Sequence, residues 1–326
     1  SEMCIRDRWG FHAGFSAAAV GMALAIVAFL WGRKMLDEAG LEPSNPMIDA
    51  ADRRDAWSKV GLVLLGAVAL YGVVTLIKGS AVGAIIDTMS LICLITPVAL
   101  FVTMFRSQKV TTLEKHRLQA FVPLFIAAML FFMIFEQAAS TLTSFAVDRT
   151  QLSLGSLTIN PEWFQSINPF GIVVLTPLFA WLWTRTDATI KVGHKFTVGL
   201  ALAGISFLVM MVASMSATDN NASPFWLVIV YLIQTVGELC LSPVGLAATS
   251  LLAPKAFQSQ AMALWLLASA AGQSITAQTI QAMEGASDTL YFGLLGAVAV
   301  GFAVILGLLT PWIHRHTEAA ASEDAA

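Results

Sequence analysis

The sequence predicts an all-α polytopic membrane protein, and three observations carry that reading. Of 326 residues, 57% are hydrophobic and only 12% charged, with a mean hydropathy of +0.75. Soluble domains carry about 25% charge and about 45–50% apolar residues. The apolar residues also gather into runs about as long as a bilayer span. Finally, the few charges fall almost entirely in the gaps between those runs. A soluble enzyme, a nucleic-acid binder and a disulfide scaffold all fit this pattern poorly. Cys4, Cys93 and Cys240 are too few and too scattered for a disulfide framework or a zinc site. No phosphate loop, G-x-S-x-G motif or metal-spaced histidine pair appears, so neither a cofactor nor a metal is expected.

Nine segments are apolar enough to cross a bilayer, near 11–31, 60–77, 89–105, 118–141, 165–184, 196–213, 224–250, 259–280 and 290–310. The second and third are short and rich in Gly or Thr. Between the first and second lies a polar stretch from Gly32 to Lys59 with Pro43, Pro46 and charges of both signs, which reads as an exposed connector. The tail from 314 to 326 is polar and rich in small residues and is expected to be disordered.

Orientation follows from the basic residues. Sorted into alternating gaps, and leaving aside Arg6 and Arg8 before the first span, fourteen Lys and Arg fall on one side, from Arg33 through Lys195 and Lys255 to Arg315, against only Lys78 and Arg149 on the other. That asymmetry places the C-terminus in the cytoplasm of a multi-pass cytoplasmic-membrane protein. Nine spans then put residue 1 outside, which predicts an odd number of spans before it and a truncated chain. The opening 1–8 is polar, unlike the apolar run after it, and reads as non-native.

Two carboxylates, Glu136 and Glu238, lie well inside apolar spans, and no Lys or Arg does. A charge at mid-bilayer costs a few kcal/mol and persists where something compensates it. Glu136 lies in Phe131-Phe132-Met133-Ile134-Phe135-Glu136-Gln137. A carboxyl group there suits reversible protonation in a proton-coupled transporter; the alternative is a neutral structural carboxyl bonded between helices. Gln234, Glu238 and Ser242 are spaced i, i+4, i+8 and share one helical face. Pro243 frees a carbonyl about one turn earlier, near Leu239, and broken helices of this kind often line transporter sites. This stripe reads as cavity-facing and suited to a ligand ammonium, with interhelical glue as the alternative. Asn168, before Pro169 at the start of a span, reads as a helix cap or a ligand contact. Trp265 lies within its span, unlike Trp181 and Trp183, which read as interfacial; it walls a pocket or fills the core. Its face continues through Ala268, Ser269 and Gly272, small residues that allow close helix approach.

Together these segments resemble the proton-dependent oligopeptide transporters, a branch of the major facilitator superfamily. Trp9-Gly10-Phe11-His12-Ala13-Gly14-Phe15 is similar to that family's sixth helix, Phe135-Glu136-Gln137 to its seventh, and Ser166-Ile167-Asn168-Pro169 to its eighth. Gly237-Glu238-Leu239-Cys240-Leu241-Ser242-Pro243-Val244-Gly245-Leu246, continued by Leu252-Ala253-Pro254, resembles its tenth-helix motif. The resemblance implies a sixth helix at 9–36, a cytoplasmic connector at 37–59, an inserted helical hairpin at 60–105, a second connector at 106–117 and a C-terminal six-helix transport bundle at 118–313. The N-terminal bundle of the same protein would be the missing partner.

The implied activity is proton-coupled symport of di- and tripeptides across the lipid bilayer by alternating access. Glu136 would be the protonatable carboxylate, Glu238 would pair with the peptide ammonium, Asn168 would hydrogen-bond the peptide, and Ser242 and Trp265 would line the pocket. The first-helix acidic and arginine motif and the basic residues for the peptide carboxylate have no counterpart in this sequence. A related transporter for nitrate or modified peptides, or a non-transporting membrane fragment, is the alternative.

Overall fold

A computed structural model describes residues 11–33, 49–154, 157–186, 190–217 and 221–323. The 1–8 stretch and most of the 37–59 connector lie outside the described residues. In the unit that ends at Ala56, the described residues form α1 (Phe11–Gly32) and the first turns of α2 (Ala50–Lys78). Helix α2 therefore begins about ten residues before the apolar run, inside the expected connector. Ala50, Ala51, Arg53, Arg54 and Lys59 are good helix formers, and nothing after Pro46 breaks the turn.

The unit from Trp57 onward holds the rest of α2, then α3 (Ala81–Arg106), α4 (Thr112–Phe135), α5 (Thr141–Arg149), α6 (Ile167–Thr186), α7 (Val192–Ser216), α8 (Phe225–Leu252), α9 (Gln258–Ala282) and α10 (Asp288–Glu323). Ser153–Leu154 and Leu157–Thr158 pair as a two-residue antiparallel ladder between α5 and α6. Helix α10 runs to Glu323, so the tail expected to be disordered continues the last helix; its Thr-Glu-Ala-Ala-Ala-Ser-Glu stretch favours helix through alanine.

Among the described residues, seven helices are long and apolar enough to cross a membrane by length and composition. The other two expected spans are also helices. The described apolar part of α1 is short, Ala18–Gly32. Helix α9 is 25 residues long but carries Gln258, Gln260, Gln273, Gln278 and Gln281, which lower its hydropathy.

The hairpin turns at Gly79, whose φ of 66° is the left-handed conformation common just past a helix end. Ser80 then caps α3 by accepting from the Gly83 amide. Helix α3 packs along α9. Lys78 Nζ meets Asp87 Oδ2 at 2.7 Å, and Gln278 Nε2 of α9 donates to Asp87 Oδ1 at 3.0 Å. Helix α4 starts at a capping box between Thr111 and Glu114; the second Glu114 oxygen accepts the Lys255 amide at 2.9 Å, tying the α3–α4 and α8–α9 connections together.

The core of the bundle is formed by α4, α7, α8, α9 and α10, with Phe121, Phe131, Phe196, Phe207 and Phe292 fully or nearly fully buried. Glycines permit the closest approaches. A Cβ on Gly237 of α8 would lie 3.0 Å from the Gly199 carbonyl of α7, and one on Gly272 of α9 would lie 2.7 Å from the Met129 carbonyl of α4. Helix α6 lies at the edge, with Phe170 and Val173 more than 70% exposed.

Candidate functional site

The four helices α4, α6, α8 and α9 bring the site residues together. On α8, the Gln234–Glu238–Ser242 stripe divides. Gln234 is 1% exposed and donates through Nε2 to Ser206 Oγ of α7 at 3.1 Å, so it joins α8 to α7. Glu238 is half-buried and accepts from Asn168 Nδ2 at 2.9 Å. The same Nδ2 reaches Thr235 Oγ1 at 3.3 Å, and that hydroxyl donates to the Tyr231 carbonyl one turn back. Asn168 therefore caps no helix; it links α6 to α8. A Cβ added to Gly171 would press on the Thr235 methyl at 3.0 Å, so the absence of a side chain there permits this contact. Ser242 is half-buried one turn beyond Glu238.

Glu136 sits where α4 gives way to a 3₁₀ turn over Glu136–Ala139. Its Oε1 accepts from Ser269 Oγ of α9 at 3.0 Å. Side chains satisfy the backbone around this break. Gln137, fully buried, donates to the Met133 carbonyl at 2.9 Å and accepts from Tyr291 OH at 2.8 Å. Thr276 of α9 also donates to the Met133 carbonyl, at 2.8 Å, and Tyr231 of α8 donates to the Ala138 carbonyl at 3.0 Å. Thus the carboxylate stands beside a break whose carbonyls are bonded from neighbouring helices.

Trp265 lies one turn before Ser269 on α9 and is 8% exposed. Its ring covers Gly245 and meets Phe132 and Phe196 edge-on at 5.9 and 6.4 Å. A Cβ on Gly245 would collide with the indole, so this glycine makes the space the ring occupies. Trp183, read from sequence as an interfacial residue, is half-buried and donates through Nε1 to the Leu239 carbonyl at 3.3 Å. That is the carbonyl Pro243 frees. A cavity of about 360 Å³ opens elsewhere, between Lys191, Gly193, Leu252 and His314, and the carboxylates do not line it.

Sequence reasoning missed Thr235, Ser269, Gln137 and Trp183. Thr235 and Ser269 each carry a weak signal, a hydroxyl on the face of a functional neighbour, but their partners lie about 70 and 130 residues away.

A model described as the POT family matches residues 3–296. The chain belongs to the POT family. It is 39% identical over 311 residues to the transporter YclF of Bacillus subtilis (strain 168), covering 95% of this chain and 62% of the relative. It is 38% identical over 306 residues to a di-/tripeptide transporter of Lactococcus lactis subsp. cremoris, covering 91% and 61%. The crystal structure of peptide transporter POT in complex with sulfate matches with a TM-score of 0.80 at 38% identity, over 97% of this chain and 64% of that one. That of a POT family transporter in complex with 5-aminolevulinic acid matches with a TM-score of 0.79 at 33% identity, over 93% and 63%. This POT family chain thus spans less than two thirds of the length of these relatives, and it is a multi-pass membrane protein with their fold.

Proposed function

We propose that this chain supplies the C-terminal transport bundle of a proton-coupled symporter for di- and tripeptides. The observation that carries the reading is the Asn168–Glu238 pair on α6 and α8, beside a second carboxylate, Glu136, held from α9. Asn168 engages one oxygen of Glu238, and an ionised carboxylate keeps further acceptor capacity for an ammonium. A charged pair formed away from bulk water is stronger than an exposed one. Glu136 would take up a proton and bias one of two states of the transporter. Ser242 and Trp265 would shape the pocket. The names of the relatives support a peptide substrate, and the 5-aminolevulinic acid complex of a 33% identical neighbour fits a ligand that presents an amino group.

Two six-helix bundles would rock about this site, the second supplied by the N-terminal part of the same protein, in the cytoplasmic membrane with the C-terminus inside. Another small solute, such as nitrate or a modified peptide, is the second reading within transport. The test is uptake by the full-length protein in proteoliposomes under an inward proton gradient. Labelled dipeptide should accumulate, and collapse of the gradient should abolish accumulation. An unlabelled N-acetylated dipeptide, which lacks the ammonium, should compete poorly. Equal competition by the acetylated peptide would refute docking on Glu238, and uptake indifferent to the gradient would refute proton coupling.

A further inference from the structure

The junction of α6, α7 and α8 beside Glu238 is built around an indole and a freed carbonyl. Pro243 has no amide hydrogen, so the Leu239 carbonyl loses its donor within α8. Leu239 is 7% exposed, and inside a membrane an unpaired carbonyl is strongly disfavoured. Trp183 of α6 supplies the bond through Nε1 at 3.3 Å. Its ring is fixed from two sides. Lys195 of α7, 4% exposed, places Nζ 4.8 Å from the ring centroid, and Phe179 meets the ring edge-on at 5.8 Å.

We infer that Trp183 is a positioning residue whose indole N–H replaces the amide donor that Pro243 removes, with Lys195 holding the indole in register. It acts through the α8 backbone one residue from Glu238 and touches no ligand. The proline can then sit within α8, just over one turn from Glu238, without leaving that carbonyl unpaired.

The test is a double-mutant cycle in the full-length protein in detergent, read by thermal unfolding and by hydrogen exchange, neither of which depends on transport. Trp183→Phe keeps a ring and removes the N–H; it should lower Tm by about 2–4 °C and speed exchange across residues 239–247. Pro243→Ala returns an amide hydrogen to the Leu239 carbonyl. In that background Trp183→Phe should shift Tm by less than about 1 °C, because the two sites share one acceptor. Trp181→Phe, at an exposed ring beside Arg185, should change neither readout. Equal losses from Trp183→Phe in both backgrounds would mean that Trp183 only fills space. Should Pro243→Ala fail to fold, unchanged exchange over 239–247 in Trp183→Phe alone would overturn the assignment.

Discussion

Helices α4 and α8 each carry one carboxyl group inside an apolar span, and each has a backbone defect beside it, but the defects differ in kind. Helix α8 stays helical through Pro243, and a tryptophan from α6 repairs the lost bond. Helix α4 has no proline near Glu136; it tightens into a 3₁₀ turn, and side chains of Gln137, Thr276 and Tyr231 bond the carbonyls around it. The carboxylates differ to match. Glu238 is met by an amide of α6, whereas Glu136 is met by a hydroxyl of α9. An amide N–H only donates and occupies one acceptor of Glu238, whereas a hydroxyl can donate or accept. The contrast fits the proposed division of labour, with ligand docking on α8 and proton coupling on α4.

The largest effect is expected at Glu238. In the full-length protein, Glu238→Ala should raise the KM for dipeptide by about 10–100-fold, the loss of one charge-assisted bond, read by concentration-dependent uptake. A KM within twofold of wild type would remove Glu238 from docking. Next comes the Trp265 ring packed on Gly245 of the same helix as Glu238. Gly245→Ala drives a methyl into the Trp265 indole. It should cost about 1–3 kcal/mol by overpacking, seen as a lower Tm, and Trp265→Phe in the same chain should recover part of that loss.

The α4 break should be less costly to disturb. Gln137→Leu leaves the Tyr291 hydroxyl without this acceptor, while the Met133 carbonyl keeps Thr276. A loss of about 1 kcal/mol is expected, with faster hydrogen exchange confined to the turn. The smallest effect lies outside both helices. Lys78→Ala removes a half-exposed partner of Asp87, which keeps Gln278. It should change stability by about 0.5 kcal/mol or less, and less still in high salt.

Much of this architecture was legible in the sequence because hydropathy reports burial in a membrane directly. Each of the nine expected segments lies largely on a helix, although 118–141 runs past the end of α4 through the turn at Glu136, and Pro243 announced the freed carbonyl at Leu239. The α8 motif and the two intramembrane carboxylates stood out for the same reason: a charge is rare there. The donor that repairs the Leu239 carbonyl was not legible. Trp183 sits near a helix end, where a tryptophan usually marks the interface, and its partner lies 56 residues away. Nor was the break at Glu136, since Glu-Gln-Ala-Ala is ordinary helical sequence and tertiary bonds from Tyr291 and Tyr231 favour the turn. Gln234 misled because spacing sets a face without saying what covers it; in the structure α7 does. The start of α2 and the end of α10 were misjudged because polar stretches were taken for a connector and a disordered tail where alanine and arginine still favour helix.

The division of labour is tested most directly by Glu136→Gln in the full-length protein, comparing gradient-driven accumulation with gradient-free exchange of labelled dipeptide. Glutamine keeps the shape and a hydrogen bond to Ser269 but cannot carry a proton. The account predicts that accumulation falls to background while exchange across the membrane and dipeptide affinity persist. Accumulation at the wild-type level in Glu136→Gln would contradict it.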